Sequence, residues 1–102
     1  MSAATVAAPA ALIEAAIDDA TRRSGVGRSS IEVLAAEAVT WSDGSLGCPE
    51  PGMLYTQALV PGYRIVLRAG TMQLRYHSGR SGAPNFCSPE RAVEPVPGMT
   101  GT

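Results

Sequence analysis

Three side chains in this 102-residue chain could do covalent or acid–base chemistry: Cys48 and Cys87, its two cysteines, and His77, its single histidine. Cys48 lies in Trp41-Ser42-Asp43-Gly44-Ser45-Leu46-Gly47-Cys48-Pro49-Glu50-Pro51-Gly52. With Asp43 or Glu50 these are the residue types of a thiol hydrolase, in which His activates the sulfur and an acid orients the imidazole. Against that, nothing around Cys48 signals a helix N-terminus that would depress its pKa. His77 alternates with polar residues near the end of a predicted strand, as a solvated surface histidine does. The other chemistry open to the cysteines is mutual. A Cys48–Cys87 disulfide would close a loop of about forty residues and stabilise by roughly 3–4 kcal/mol on the chain-entropy model; the alternative is two unrelated thiols. Without CxxC and with a single His, no zinc set is present. Asp43-Gly44 between serines is a turn signal, since the calcium-loop spacing of further acids is missing. Gly25, Gly27, Gly44, Gly47 and Gly52 form no phosphate-binding fingerprint. No metal and no cofactor is expected.

The elements that must position these residues follow from periodicity. Residues 1–8 read as a frayed N-terminus, and Pro9 suits a first helical turn. From Ala10 to Ser24 the residues Ile13, Ala16, Ile17 and Ala20 make one apolar stripe. Asp18 with Arg22 and Asp19 with Arg23 are acid-first i,i+4 pairs, and Gly25 is a natural left-handed cap. Ser29–Trp41 carries both a capping-box form and β-branched alternation. A strand is the reading preferred, with Glu37 spoiling its apolar face unless a bulge intervenes. The Pro- and Gly-rich stretch 42–52 is a loop braced at its base by Trp41. Met53–Val60 reads as a strand, Pro61-Gly62 as a turn, and Tyr63–Ala69 as a strand with Tyr63, Ile65 and Leu67 on one face and Arg64 and Arg68 on the other. Met72, Leu74 and Tyr76 then point inward while Gln73, Arg75 and His77 face water. Phe86-Cys87 could pin the returning chain, and 88–102 is Pro-rich, without a period, and expected to be disordered. The fold class is α+β: one N-terminal helix on a three- to four-stranded antiparallel sheet, stapled by one disulfide, forming a single domain over 9–87.

Composition narrows the function. Eight basic and nine acidic residues nearly cancel, and every basic residue is Arg, which fits the coding bias of a GC-rich genome. The arginines are scattered among acids with no basic stripe, so nucleic-acid binding has no support. No apolar run approaches the ~20 residues of a membrane span. Met1–Ala11 lacks the positive start of a signal peptide. That leaves a cytoplasmic protein, or an exported one seen in its mature form.

Trp41, the Asp43–Pro49 block, Tyr55-Thr56-Gln57, Pro61–Ile65, Tyr76-His77 and Cys87 together resemble a group of small, uncharacterised bacterial proteins, several of which look exported or lipid-anchored. The resemblance covers Val39–Cys87 and implies that the two cysteines pair. A second, partial resemblance is to cystatin-like inhibitors: Gln57-Ala58-Leu59-Val60-Pro61-Gly62 is similar to that family's Gln-x-Val-x-Gly hairpin, one residue too long. The function expected is a non-enzymatic domain that recognises a protein or peptide through a rigid, bridged loop, with Asp43, Ser45, Leu46, Pro49, Glu50, Pro61 and Tyr63 as the contact residues. The rivals are a thiol enzyme or redox module using Cys48, and a domain that only scaffolds or self-associates, with Arg64, Arg68 and Arg75 either solvated or meeting a partner's acids.

Overall fold

The computed structural model describes residues 7–97. Helix α1 spans Ala10–Ser24, and the sheet is formed by β1 (Ile31–Trp41), β2 (Val60–Ala69), β3 (Met72–Gly79) and β4 (Asn85–Cys87). The strands run antiparallel in the order β1-β2-β3-β4, so every neighbour in space is a neighbour in sequence.

The helix forms where its stripe requires. Ala16 and Ala20 are fully buried, and Ile13 and Ile17 pack beside them on Ile65, Leu67, Leu74 and Tyr76. Gly25 takes the left-handed cap at φ 76°, its N–H donating to the Thr21 carbonyl. Asp19 pairs with Arg23 as the spacing predicts, whereas Asp18 reaches Arg28 beyond the helix.

β1 is a strand despite its helix-favouring Leu34–Ala38 run, because pairing with β2 along its whole length outweighs local propensity. The register slips between Val33 and Ala35. That bulge puts Ile31, Val33, Ala36 and Ala38 opposite the helix-facing residues of β2. Glu37 therefore lands on the other face, where Arg64 donates to it through Nε (2.9 Å) and Nη2 (2.7 Å). The conflict posed by a glutamate in this strand is resolved by one extra residue.

Two sequence expectations fail here. Met53–Leu59 is not a strand; it is an exposed arm with no strand to pair with. Pro61-Gly62 is not a turn but part of β2, paired with Thr40 and Val39. Trp41 and Val60 are themselves cross-strand partners, so Ser42–Leu59 is one long hairpin loop whose ends meet. Gly62 is needed in the strand: a Cβ there would lie 2.0 Å from the Ser78 carbonyl and 2.8 Å from Trp41 Nε1.

The Pro-rich segment after Cys87, expected to lack structure, runs over the sheet face opposite α1 as far as Pro97. Val93 N–H donates to the Gly47 carbonyl and Val96 N–H to that of Thr40, both at 2.8 Å. Glu94 accepts from Arg64 (2.7 Å) and Arg75 (3.2 Å). The acids that meet Arg64, Arg68 and Arg75 are thus the chain's own: Glu37, Glu94 and Glu32. At the other end Ala8 is buried and donates to Ala36, so the fray expected over 1–8 does not extend to Ala8. Residues 1–6 and 98–102 lie outside the described part of the chain.

Candidate functional site

Alternation along the strands gives the sheet a second face carrying Val39, Trp41, Arg64, Val66, Arg75, His77 and Cys87. Its centre is Trp41, completely buried, with the indole N–H donating to the Ser78 carbonyl at 2.9 Å. The His77 ring stacks on it at 4.3 Å between centroids. Two glycines admit the indole. Gly62 flanks it from β2, and Gly47, at φ 71°, would place a Cβ only 2.4 Å from Trp41 Cζ3.

His77 is not a surface residue; it is 1% exposed. Alternation with Gln73 and Arg75 does put it on the strand face away from Leu74 and Tyr76, but that face is not open to water at His77. What is missing from local pattern is that the 42–52 loop folds back over that end. Nδ1 lies 2.8 Å from the Leu46 carbonyl. A carbonyl only accepts, so Nδ1 carries the proton, and Nε2 is left without a partner among the described residues. Burial pushes the imidazole's pKa below its ordinary value; the bond to Leu46 opposes this, and Arg75 and Arg64 add to it.

The loop is built from its own short bonds. Asp43 Oδ1 accepts from the Ser45 N–H (2.8 Å) and hydroxyl (2.6 Å), which hold its carboxyl below the usual range. Leu46 adopts φ 56°, the one non-glycine with positive φ among the described residues, and Gly47 follows in the same region. That left-handed pair aims the Leu46 carbonyl at His77 and the Gly47 carbonyl at Val93. Cys48 bonds to Cys87 with their α-carbons 5.8 Å apart, tying the loop to β4. The outgoing arm is cross-braced by Gly44 N–H to Thr56 O (2.9 Å) and Glu50 N–H to the Tyr55 hydroxyl (3.0 Å).

Ser45, Leu46 and Glu50, from among the sequence-predicted contact residues, line one hollow of about 420 Å³ between the loop, the end of α1 and β4. Pro49 lies on a neighbouring groove, and Asp43 serves the turn. Pro61 and Tyr63 line a separate hollow of about 170 Å³ with Arg80. The hollow under the loop also takes in Arg23, Tyr55, His77 and Arg91, which sequence reasoning did not single out as contact residues. In the sequence Arg23 is half of an i,i+4 pair with Asp19 and Arg91 falls in the Pro-rich segment after Cys87; only tertiary closure brings them together. Among the described residues no three of His, Cys, Asp or Glu gather as metal ligands, and no helix is long and apolar enough to cross a membrane.

Fold and site define a small α+β domain: one helix on an antiparallel meander, with a disulfide-tied hairpin loop closing the opposite face. The chain belongs to the family described as "Domain of unknown function (DUF8738)", which matches residues 13–87, from the first turns of α1 to the second cysteine. No curated protein matches the chain, and no solved structure does.

Proposed function

We propose that this is a non-enzymatic recognition domain that docks a protein or peptide partner through the Ser42–Leu59 loop. The observation that supports this most is Leu54. It is 96% exposed on an arm that also presents Met53 and Leu59 to solvent. Single exposed apolar residues are ordinary on protein surfaces. Three on one short arm, held by a disulfide and backbone cross-bonds, make a contact element that loses little conformational entropy on binding.

Protease inhibition by loop insertion is the specific version. The segment that resembles a cystatin-like hairpin does not form a hairpin tip, since Gln57–Leu59 lies in the arm and Val60–Gly62 in β2. The inhibitor version therefore rests on the arm's exposed leucines and not on that motif. The thiol-enzyme reading is the weaker rival, because Cys48 sulfur is bonded to Cys87 and offers no thiolate. The scaffolding reading loses its free arginines to intrachain acids.

A photo-crosslinking residue at position 54, with position 73 as an exposed control, tests the reading in the source cells. Adducts of one mass at 54 and none at 73 support it; the same adduct pattern at both positions, or none at either, contradicts it. A panel of cysteine and serine proteases tests the inhibitor version, which no inhibition at micromolar protein removes.

A further inference from the structure

The inner side of the same loop roofs the hollow of about 420 Å³, and that volume falls in the range of small-molecule sites. Its walls are chemically divided. Tyr55 and Phe86 supply aromatic surface, and Arg23 and Arg91 supply two positive charges against the single carboxylate of Glu50.

Each guanidinium is held in place from behind. Arg23 donates through Nε to Asp19 at 2.5 Å, and its guanidinium carbon lies 4.0 Å above the Phe86 ring. Asp19 is fixed in turn by the Tyr76 hydroxyl at 2.7 Å. Arg91 donates through Nε to the Ser88 hydroxyl at 3.3 Å. Glu50 stands 3.8 Å from Arg91 Nη1, too far for a hydrogen bond. Positioning through Nε leaves the two terminal nitrogens of the fork to meet an incoming carboxylate in a bidentate pair.

The geometry points to a binding site for a carboxylate attached to an apolar or aromatic group, such as a small aryl acid or the C-terminal residue of a peptide. The carboxylate sits on Arg91 with Arg23 supplying the second charge, and the apolar part lies against Tyr55 and Phe86. Glu50 is the internal competitor for Arg91. This site goes beyond the partner contact proposed for Leu54, which does not line the hollow.

The test is an amide chemical-shift titration of the full-length, disulfide-bonded protein with N-acetyl-phenylalanine, a free acid, and with its uncharged carboxamide. The acid is expected to shift Tyr55, Asn85 and Phe86 with a Kd of about a millimolar, and the carboxamide to bind at least roughly tenfold more weakly, the cost of one charge-assisted contact. Arg91→Gln weakens the acid by about tenfold, and Arg80→Gln, outside the hollow, leaves it unchanged. Glu50→Gln tightens it several-fold, a gain that damage to the fold would not give. Equal binding of acid and carboxamide, no shifts up to about 20 mM, or weaker binding by Glu50→Gln would each overturn the site. None of these outcomes bears on crosslinking at position 54, so the two readings fail separately.

Discussion

The two faces of the sheet are closed by different means. On the helix side, Ile65, Leu67, Leu74 and Tyr76 meet the alanine stripe of α1, and the contact is almost wholly apolar. On the other side no helix is present among the described residues. A loop and the C-terminal segment cover that face and its Trp–His stack, held by a disulfide, two backbone hydrogen bonds and an Arg–Glu cluster. Hydrophobic burial is non-directional and tolerates shifts of whole elements. The second face depends on particular atoms, so it holds a loop in one shape while Met53, Leu54 and Leu59 stay exposed to solvent. Apolar burial stabilises the first face, and on the proposed reading the loop held by the second is the part that meets a partner.

The difference can be broken most severely at its aromatic centre. Trp41→Ala should cost about 3–5 kcal/mol in denaturant unfolding, as large aromatic truncations do, because it removes the stack, the bond to Ser78 and the filling between Gly47 and Gly62. Replacing both cysteines by serine should cost roughly 3–4 kcal/mol. Leu67→Ala on the helix side should cost about 2–5 kcal/mol, yet leave the loop's hydrogen bonds as they are in whatever fraction stays folded. Glu94→Gln keeps the shape and removes one charge from an exposed cluster. It should cost less than about 1 kcal/mol and speed amide exchange at Val93 and Val96. Leu54→Ser, at a side chain that is 96% exposed, should stay within about 0.5 kcal/mol of the parent while abolishing partner crosslinking from a photo-reactive residue placed at position 53.

The pH profile sharpens the same contrast. His77 is held neutral by burial, so its folded-state pKa lies below the ordinary ~6.5 of the unfolded chain. Above that value neither state binds the proton and no stability is at stake. As pH falls through it, the unfolded chain is protonated first, and stability declines until the folded-state pKa is reached. Asp19, Asp43 and Glu94 are depressed carboxylates whose contributions are present above their ordinary pKa values and are lost only as pH falls further. Melting temperatures between about pH 8 and pH 5 should therefore fall in the parent and be flatter in His77→Phe.

How much of this is legible in the sequence divides along the same line. α1, its glycine cap and the Tyr63–Ala69 alternation need only local spacing, because a helix and a hairpin strand bury a face defined by nearest neighbours. The bulge in β1 is implied by Glu37 falling in step with Ile31, Val33 and Ala35, and the cysteine positions frame the bridge. The second face is closed by segments distant in sequence. Met53–Leu59 has the residues of a strand but nothing to pair with. Pro61-Gly62 has turn chemistry, yet Gly62 is there because Trp41 Nε1 and the Ser78 carbonyl leave no room for a Cβ. His77 looks solvated beside Arg75 until the loop is folded over it. The segment 88–97 has no period because it docks through two carbonyls and one glutamate, which leave no repeating mark in a sequence.

Amide hydrogen exchange of the loop, with the bridge oxidised and then reduced, reaches the central claim most directly. If the Cys48–Cys87 bond holds the loop rigid, the amides of Gly44, Cys48 and Met53 are protected in the oxidised protein, and reduction lowers their protection far more than that of Ile65–Ala69 in β2. Unprotected exchange at those three amides while the bond is intact, or protection that survives reduction unchanged, would contradict it.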